Sequence, residues 1–252
     1  MKKSIFSLLV SFALLSAVNA QEKLSTLEQT IKKGKSENIT ALIKIAGGHL
    51  IINGETAELA QVKLTYDKAD WNPSIAFAEL DERGKLTITA QTEGEEKHIG
   101  DNNRCNINLN PSLNYSLGIV LGAGLADINF HDFSIHKAVF RLGVGSFNVN
   151  LSNTSVPLLK VEAGIGEATF DLSGIWKNNL SATINAGIGQ MNLIVPANTG
   201  VRVTVKGFLG NVETPGYKKE GKEYSNALYG KTKYNLEIQV NGAIGSVDVS
   251  EK

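Results

Sequence analysis

The chain has 252 residues, 42% of them hydrophobic, and its 25 Lys and Arg residues are balanced by 25 Asp and Glu residues. This length allows one large all-β domain or two smaller ones. The formal charge of zero argues against a general polyanion-binding surface, so no nucleic-acid partner is expected. The one cysteine, Cys105, cannot form an intrachain disulfide, so an exported fold would depend on its core alone.

Residues 1–20 have the pattern of a secretory signal peptide. Lys2 and Lys3 form a basic start, Ile5–Leu15 is apolar, and Val18-Asn19-Ala20 is a small-residue cleavage site. The apolar run is too short to span a bilayer as a helix, although retention as an uncleaved anchor is the alternative. We therefore expect an exported protein of the periplasm or outer surface, with no transmembrane segment after signal cleavage.

The next segments lead into β-structure. Residues 21–38 are polar and lysine-rich with one weak helical period, which indicates a tether or short helix. Residues 39–103 alternate as strands do and predict an N-terminal β-module, in which Gly48 occupies the glycine position of a divergent repeat. The polar stretch 93–103 is the expected boundary with the array that follows.

Residues 104–252 contain six copies of one phrase: alternating apolar residues, a glycine-centred break, and alternating apolar residues again. The gaps between the second glycines of the breaks are 21, 21, 23, 21 and 35 residues. A fixed period of this kind is typical of stacked repeats that bury their apolar faces against one another. We interpret the second glycines as structural: Gly124, Gly145, Gly166, Gly189, Gly210 and Gly245.

The alternation predicts an all-β fold, a stacked β-solenoid of the β-helix or β-roll kind, with Gly-x-Gly corners about every 21 residues. A break at a sharp corner or bulge requires positive φ or close backbone approach, which explains the glycines. The residue inside each break is apolar: Ala123, Val144, Ile165, Ile188, Leu209 and Ile244. One column expected to face outward is polar: Asp127, Asn148, Thr169, Asn192, Glu213 and Asp248.

The long last gap contains an insertion, residues 213–231, whose composition departs from the repeat. Tyrosines offer apolar area with a hydrogen bond, and neighbouring lysines could bind anionic glycans or head groups. The alternative is a C-terminal cap that packs its tyrosines over the open end of the stack, which the need to cover a last edge favours. The candidate recognition residues are Tyr217, Lys218, Lys219, Lys222, Tyr224 and Tyr229.

The order of these features resembles the bacterial toast-rack family of exported, adhesin-like domains of unknown function. It is more distantly similar to the C-terminal β-domain of cell-envelope-stress regulators. The resemblance is carried by the glycine breaks and by A-L-I-K-I-A-G-G-H-L-I-I at 41–52, K-L-T-I-T-A-Q at 85–91, R-C-N-I-N-L-N at 104–110, E-Y-S-N-A-L-Y-G at 223–230 and G-A-I-G-S-V-D-V at 242–249. It implies a stacked β-fold at the cell envelope with no established catalytic residues.

Cofactor and metal sites are not indicated. The glycine pairs lack the third glycine and the following helix of a dinucleotide fingerprint. The acidic column is too mixed for calcium, which takes six or more oxygen ligands. His131 and His136 flank Asp132, but four scattered histidines and one cysteine do not supply the ligand spacing of a structural zinc site. We therefore expect no cofactor and no metal.

Catalytic residues are not indicated either. Arg141, Glu162 and Lys206 share one outward column, where opposite charges on neighbouring strands stabilise a ladder. Ser152 and Ser155 have no histidine partner that the sequence reveals. The expected function is that of a non-enzymatic, adhesin-like surface or envelope protein that binds an envelope protein or a glycan. The alternatives are an envelope-stress sensor module and a polysaccharide-acting enzyme with a carboxylate pair on one face.

Overall fold

The computed structural model describes residues 24–68, 71–92 and 102–252. The predicted signal peptide, His98 and most of the predicted boundary at 93–103 lie outside these residues. The described chain is all-β. Its strands are β1 Ser25–Ile31, β2 Asn38–Asn53, β3 Ala60–Tyr66, β4 Asn72–Leu80, β5 Arg83–Gln91, β6 Arg104–Leu109, β7 Asn114–Asn129, β8 Ser134–Asn150, β9 Leu158–Asp171, β10 Leu180–Val195, β11 Gly200–Glu213, β12 Lys218–Glu220, β13 Glu223–Ser225 and β14 Asn235–Glu251.

The strands form one long stacked sheet in the order β1-β3-β6-β2-β7-β8-β9-β10-β14-β11-β13-β12. The sheet forks at β2, whose first half pairs with β5 and whose second half pairs with β6. Strand β4 covers the outer edge of β5. On its other side β2 pairs with β7 in parallel, Gly48 opposite Gly124, so the divergent copy joins the same glycine column as the array.

The segment interpreted as a tether or short helix is a strand, and that prediction was wrong for residues 25–31. β1 pairs with β3 along its whole length, from Ser25 opposite Tyr66 to Ile31 opposite Ala60. Its exposure alternates along the strand. Glu28, in the middle of the strand, forms an ion pair with Lys63 of β3. β1 lies at the edge of the sheet, where a strand can be as polar as this one is. A polar edge strand lacks the alternation of apolar residues by which a strand is recognised in a sequence, and for that reason the segment was not predicted as a strand.

The long strands from β7 onward, together with β2, are called rungs below. Neighbouring rungs are parallel and in register, yet only residues 130–133 join β7 to β8. A straight strand of the 16 residues of β7 would be about 53 Å long, whereas that link reaches less than about 20 Å. Each rung therefore folds back on itself.

The side-chain pattern of a rung changes at the glycine break. Before the break of β7 the odd-numbered Leu117 and Ile119 are buried, and after it the even-numbered Ala126 and Ile128 are buried. This switch in parity keeps both halves of the rung facing one core. At Gly166 the backbone has φ of 129°, and a Cβ would lie 1.9 Å from the carbonyl oxygen of Gly145 on the rung before. No side chain fits there.

The last rung does not stack at the end of the series. β14 lies between β10 and β11, with Gly245 aligned with Gly189 on one side and with Gly210 on the other. The breaks of β11 and β14 lack the first glycine, and here Gly207 and Gly242, one position earlier, have φ of 64°. Gly207 and Gly242 do not form a register pair between β11 and β14. The two strands therefore share a local irregularity at this position, where the other breaks have their first glycine one residue later.

Stacked side chains fill the space between the two halves of the rungs. Phe140 and Phe170 make an edge-to-face contact with ring centroids 5.6 Å apart. Phe130 and Phe133 do the same at 5.1 Å in the turn after β7. Such aromatic pairs add about 0.5–1.5 kcal/mol to the free energy of burying their area.

A second repeated element lies at the ends of β6, β7, β8 and β9. In four turns an Asn or Asp side chain accepts a hydrogen bond from the backbone N–H two residues later, at 2.8–3.1 Å. These residues are Asn110, Asn129, Asn150 and Asp171. Each side chain closes a local turn that sends the chain back toward the start of the next strand. The sequence carries this signal as Asn or Asp followed two residues later by Ser or His.

Candidate functional site

The insertion at 213–231 forms a small hairpin on the edge of the first half of β11. β13 pairs antiparallel with β11, Tyr224 opposite Val203, and β12 pairs with β13. Tyr224 is buried, and Tyr217 is half-buried against the core. Burial raises the pKa of the Tyr217 hydroxyl, and nearby Glu251 adds to the effect. These two tyrosines face the body of the protein, which favours capping over recognition for both.

The remaining candidates of the insertion contact their own chain. The Tyr229 hydroxyl donates a 2.6 Å hydrogen bond to Glu237, and its ring lies 4.8 Å below the Arg202 guanidinium. Lys218 pairs with Glu220, and the Lys219 ammonium lies over the ring of Tyr224. Lys222 is exposed, and its carbonyl accepts a hydrogen bond from the N–H of Val205. The insertion thus presents charges to solvent but no open aromatic platform.

One serine has the histidine partner that the sequence did not reveal. Ser152 Oγ lies 2.7 Å from His131 Nδ1, and His131 Nε2 lies 3.0 Å from the carboxylate of Asp132. The order of groups resembles a nucleophilic Ser-His-Asp triad, but the hydroxyl proton of Ser152 does not point to the histidine. The Ser152 hydroxyl donates its single proton to Asn150 Oδ1 at 2.6 Å, so that proton is not directed at His131 Nδ1 as a nucleophilic triad requires. The contacts fasten two neighbouring turns together.

The charged column on the first halves of the rungs is a ladder. Arg141 Nε lies 2.9 Å from Glu162, and Lys160 Nζ lies 2.7 Å from the same carboxylate. Hydrogen bonds from Lys160 and Arg141 hold the pKa of Glu162 below its ordinary value. Lys206 instead donates to Gln239, because two other rungs lie between it and Glu162. Within the described ranges no three His, Cys, Asp or Glu side chains form a metal-binding group.

The second halves of the rungs present a polar groove. Its cavity of about 270 Å³ is lined by two adjacent columns of side chains and the residues between them. We define the amide groove by its polar residues: Asn53, Asp127, Asn129, Asn148, Asn150, Thr169 and Asp171. Parallel pairing places Asp127, Asn148 and Thr169 side by side, and Asn129, Asn150 and Asp171 beside them.

Part of the amide groove is already committed to internal hydrogen bonds. Asn150 Nδ2 donates to Asn129 Oδ1 at 3.1 Å, and Asn148 Nδ2 donates to Asp127 Oδ1 at 3.3 Å. His49 Nε2 contacts the other oxygen of Asp127 at 2.7 Å. Burial raises the pKa of Asp171, but hydrogen bonds from Ser173 and the charge of Lys252 outweigh it and leave that pKa lowered.

Other groups in the amide groove are open to a ligand. Among the described residues, no hydrogen bond engages Asn148 Oδ1, Asn129 Nδ2 or the side-chain amide of Asn53. Thr169 Oγ1 accepts from Asn192, which leaves its hydroxyl proton unassigned. The open groups therefore include both acceptors and donors, on rungs about 4.8 Å apart.

The residues inside the glycine breaks form an exposed line. The exposed fractions are 52% for Val144, 51% for Ile165 and Ile188, 55% for Ile244 and 70% for Leu209. Backbone pairing places these five side chains next to one another in that order, and we call them the aliphatic ridge. The apolar column is recognisable in the sequence, but its exposure to solvent is not.

The model of the N-terminal domain of toast_rack, DUF2154, matches residues 20–158 and 140–194. These two ranges together span more than half of the chain, so the chain belongs to the toast-rack family. The family matches overlap within the array of rungs, as expected if one pattern recurs there. No curated protein matches the chain.

Solved structures are similar to this chain to different degrees. A protein provisionally described as a cell adhesion protein, from Clostridium sporogenes, is 26% identical and has a TM-score of 0.67, and the alignment covers 91% of this chain and 100% of that one. A provisionally named adhesin from Bacteroides fragilis is 12% identical with a TM-score of 0.34, and the alignment covers 92% of this chain and 100% of that one. A provisionally named lipid-binding protein from Parabacteroides distasonis is 12% identical with a TM-score of 0.30, with coverages of 88% and 96%.

No helix within the described residues has both the length and the apolar character needed to cross a membrane.

Proposed function

We propose that the protein is an exported, non-enzymatic, adhesin-like protein that binds glycans through the amide groove. The rungs form a β-solenoid whose corners are the glycine breaks. This proposal is supported by the parity switch at each break and by the short links that return the chain to the next rung. The stack is a rigid scaffold in which backbone pairing sets the spacing of the exposed side chains.

The observation that carries the proposal is the set of open polar groups in the amide groove. Asn148 Oδ1 offers an acceptor, while Asn129 Nδ2 and the Thr169 hydroxyl offer donors within a cavity of about 270 Å³. Sugar hydroxyls both donate and accept, so a face that offers both roles complements a saccharide better than it complements an apolar ligand. Because several side chains of the amide groove are already held by hydrogen bonds to neighbouring rungs, less side-chain entropy is lost when a ligand binds.

The non-enzymatic part of the proposal is supported by the contacts of the candidate catalytic groups. The Ser152 proton is held by Asn150, and Glu162 is held by two cations. Export is supported by the signal-like residues 1–20 of the sequence, and the name of the Clostridium sporogenes relative agrees with a role in adhesion.

A glycan array tests the proposal. The chain from residue 21 onward is labelled and applied to the array, and every hit is then titrated calorimetrically against wild type and Asn148→Ala. Asn185→Ala is the matched control, because Asn185 also shares a side-chain amide hydrogen bond with a neighbouring rung, accepting it from Asn241 at 3.0 Å, but lies in the first half of its rung.

We expect binding that Asn148→Ala weakens about 10-fold, since a lost hydrogen bond in a polar site costs about 1–1.5 kcal/mol. Asn185→Ala should bind as wild type does. An array without hits, or equal affinities for wild type and Asn148→Ala, would contradict the proposal.

A further inference from the structure

The charges of the rungs are separated between the two sides of the core, although the whole chain has a formal charge of zero. From β7 onward, every lysine and arginine of the rungs lies before the glycine break, in the first half of its strand. The second halves carry acidic side chains and no cation: Asp127, Glu167, Asp171, Glu213 and Asp248. Zero net charge therefore does not mean that each surface is neutral.

The cations are concentrated where β5 and the first halves of β2, β7, β8 and β9 lie side by side. Backbone pairing joins these strands in that order. Within these described strands the only acid in an outward position is Glu162, which already pairs with two of the cations. We define the basic face by its cations: Lys44, Arg83, Lys85, Lys137, Arg141 and Lys160.

Several cations of the basic face are available to a partner. Lys85 and Lys137 are exposed, and Lys44 is half-buried. Within the part of the chain that the structure describes, no hydrogen bond or ion pair engages the ammonium group of any of these three. A positive potential on this face is therefore not cancelled by the protein itself.

The cations are spread over two dimensions of the sheet. One row across the strands runs from Lys85 through Thr40 and Ser116 to Lys137. A second row, about 13 Å further along the strands, contains Lys44 and Arg141. From β5 to β9 the face is roughly 19 Å wide. A single extended polyanion would follow one row, whereas a plane of anionic groups contacts both rows at once.

The basic face also has apolar side chains. Its centre consists of half-buried positions with small or aliphatic residues: Leu42, Gly118, Val120 and Val139. Leu158 is 52% exposed and lies beside Lys137 of the neighbouring rung, two residues before Lys160. An aliphatic side chain between lysines suits the boundary between lipid head groups and acyl chains, where the ammonium groups remain among the head groups.

We propose that the basic face binds the surface of a membrane that contains anionic phospholipids. The cations contact the lipid phosphates, and Leu158 enters the boundary below them. Each lysine or arginine held at such a surface strengthens binding about 5-fold. Charge complementarity and the two-dimensional arrangement of the cations carry the proposal.

The acidic side of the rungs orients the protein on this membrane. It is repelled by anionic lipids, and the core lies between it and the basic face, so the amide groove is directed away from the bilayer. A ligand approaching from solution then reaches the groove without obstruction. The membrane contact itself does not depend on what the groove binds.

A second copy of the chain is a poorer occupant of the basic face. The surface with complementary charge would be the acidic side of that copy, but its carboxylates already have partners. Asp127 contacts His49 at 2.7 Å, and Asp171 contacts Lys252 at 3.2 Å. Glu167 accepts a hydrogen bond from Asn192 at 3.0 Å. Lipid phosphates carry full charges with no such internal partners.

Cosedimentation with vesicles tests the proposal. The chain from residue 21 onward, without glycan, is mixed in about 0.1 M salt with vesicles of equal parts phosphatidylglycerol and phosphatidylcholine, or of phosphatidylcholine alone. We expect binding to the anionic vesicles only, and its loss as added salt shortens the Debye length from about 10 Å. Lys85→Glu and Lys137→Glu should each weaken binding at least about 10-fold.

Arg104→Glu is the matched control for charge. Arg104 is also an exposed strand cation, but β6 pairs with the second half of β2, on the other side of the core. This variant has the same net charge as Lys137→Glu and should bind within about 2-fold of wild type, because its change lies more than a Debye length from the basic face. Far-UV spectra and urea midpoints check that all variants are folded.

Leu158→Ala distinguishes a membrane from a soluble polyanion. It should weaken binding to vesicles at least about 4-fold, the effect of one methylene group withdrawn from the membrane. Binding to inorganic polyphosphate, measured in the same buffer, should be weaker than binding to vesicles and should not change in this variant.

A wild-type chain that does not bind the anionic vesicles would overturn the proposal. So would equal losses in Lys137→Glu and Arg104→Glu, which would indicate net charge and not a face. Tighter binding to polyphosphate than to vesicles, with no effect of Leu158→Ala on either, would identify a polymer as the occupant. No glycan is present in these measurements, so the membrane contact and the proposed function can fail separately.

Discussion

A Cβ atom on Gly245 would lie 1.7 Å from the carbonyl oxygen of Gly189, although the two residues are far apart in the sequence. The same relation joins Gly189 to Gly166 and Gly166 to Gly145. Each second glycine of a break therefore receives the carbonyl of its neighbour in the space where a side chain would be. Glycine is therefore required in this column for two reasons: the backbone has positive φ, and the neighbouring rung lies too close to leave room for a Cβ.

Replacing Gly166 by Ala should destabilise the protein by more than about 3 kcal/mol. Backbone strain at positive φ accounts for about 1–3 kcal/mol, and displacement of the Gly145 carbonyl breaks a rung contact in addition. Urea unfolding followed by circular dichroism measures the difference.

Gly216→Ala separates the two contributions. Gly216 also has positive φ, 80°, but a Cβ there meets nothing within 4 Å. This variant should lose only about 1 kcal/mol. Equal losses for the two variants would show that the carbonyl contact contributes nothing.

Ser152→Ala should lower stability by about 1–2 kcal/mol, because it removes hydrogen bonds to Asn150 and His131. A fluorophosphonate probe should leave wild-type protein unlabelled, since the serine proton is held by an amide oxygen and not by a base. Labelling of wild type that disappears in Ser152→Ala would establish a reactive serine and refute the structural role.

Glu79 should make stability depend on acid pH. The hydroxyl and the backbone N–H of Ser36 donate to Glu79 Oε1 at 2.6 and 2.7 Å, and the hydroxyl bond is the main reason that the pKa of Glu79 is lowered. A carboxyl whose pKa is lower in the folded state stabilises it above the unfolded pKa, near 4.3, and this contribution is lost as pH falls through the folded pKa.

Wild type should therefore exceed Glu79→Gln in urea midpoint at pH 6, and the gap should narrow by pH 3. Glu82→Gln, an exposed change of the same kind in the adjacent turn, is the control for the substitution itself. A difference in urea midpoint between wild type and Glu79→Gln that stays constant from pH 6 to pH 3 would mean that ionisation of Glu79 does not contribute to stability.

Cys105 should be unreactive in the native protein. It is fully buried, and burial raises the pKa of its thiol, so very little thiolate is present at neutral pH. Ellman's reagent should react at once in 6 M guanidinium and negligibly without it. Rapid reaction under native conditions would place Cys105 at a surface or in a frequently opened segment.

The sequence predicted the parts of the fold that the chain repeats. The glycine column was identifiable because only glycine fits its backbone and its space, and Gly48 could be assigned to it across the divergent segment. The position of β14 between β10 and β11 was not predictable, because Val203 and Ile238 are equivalent as core residues and either order fills the stack.

The candidate surfaces were predicted only in part. Asp127, Asn148 and Thr169 were expected on an outward face, but the adjacent Asn129, Asn150 and Asp171 lie at rung ends, where the alternation stops. The aliphatic ridge could not be oriented from its pattern, because the inward parity reverses at the glycine break. Apolar identity alone does not distinguish a core column from an exposed one there.

Hydrogen–deuterium exchange of the protein with and without a bound saccharide tests most directly whether the amide groove is the binding surface. The account predicts protection at residues 127–129, 148–150 and 169–171 and no change at the hairpin of β12 and β13. Protection confined to that hairpin, or spread evenly over the chain, would contradict it.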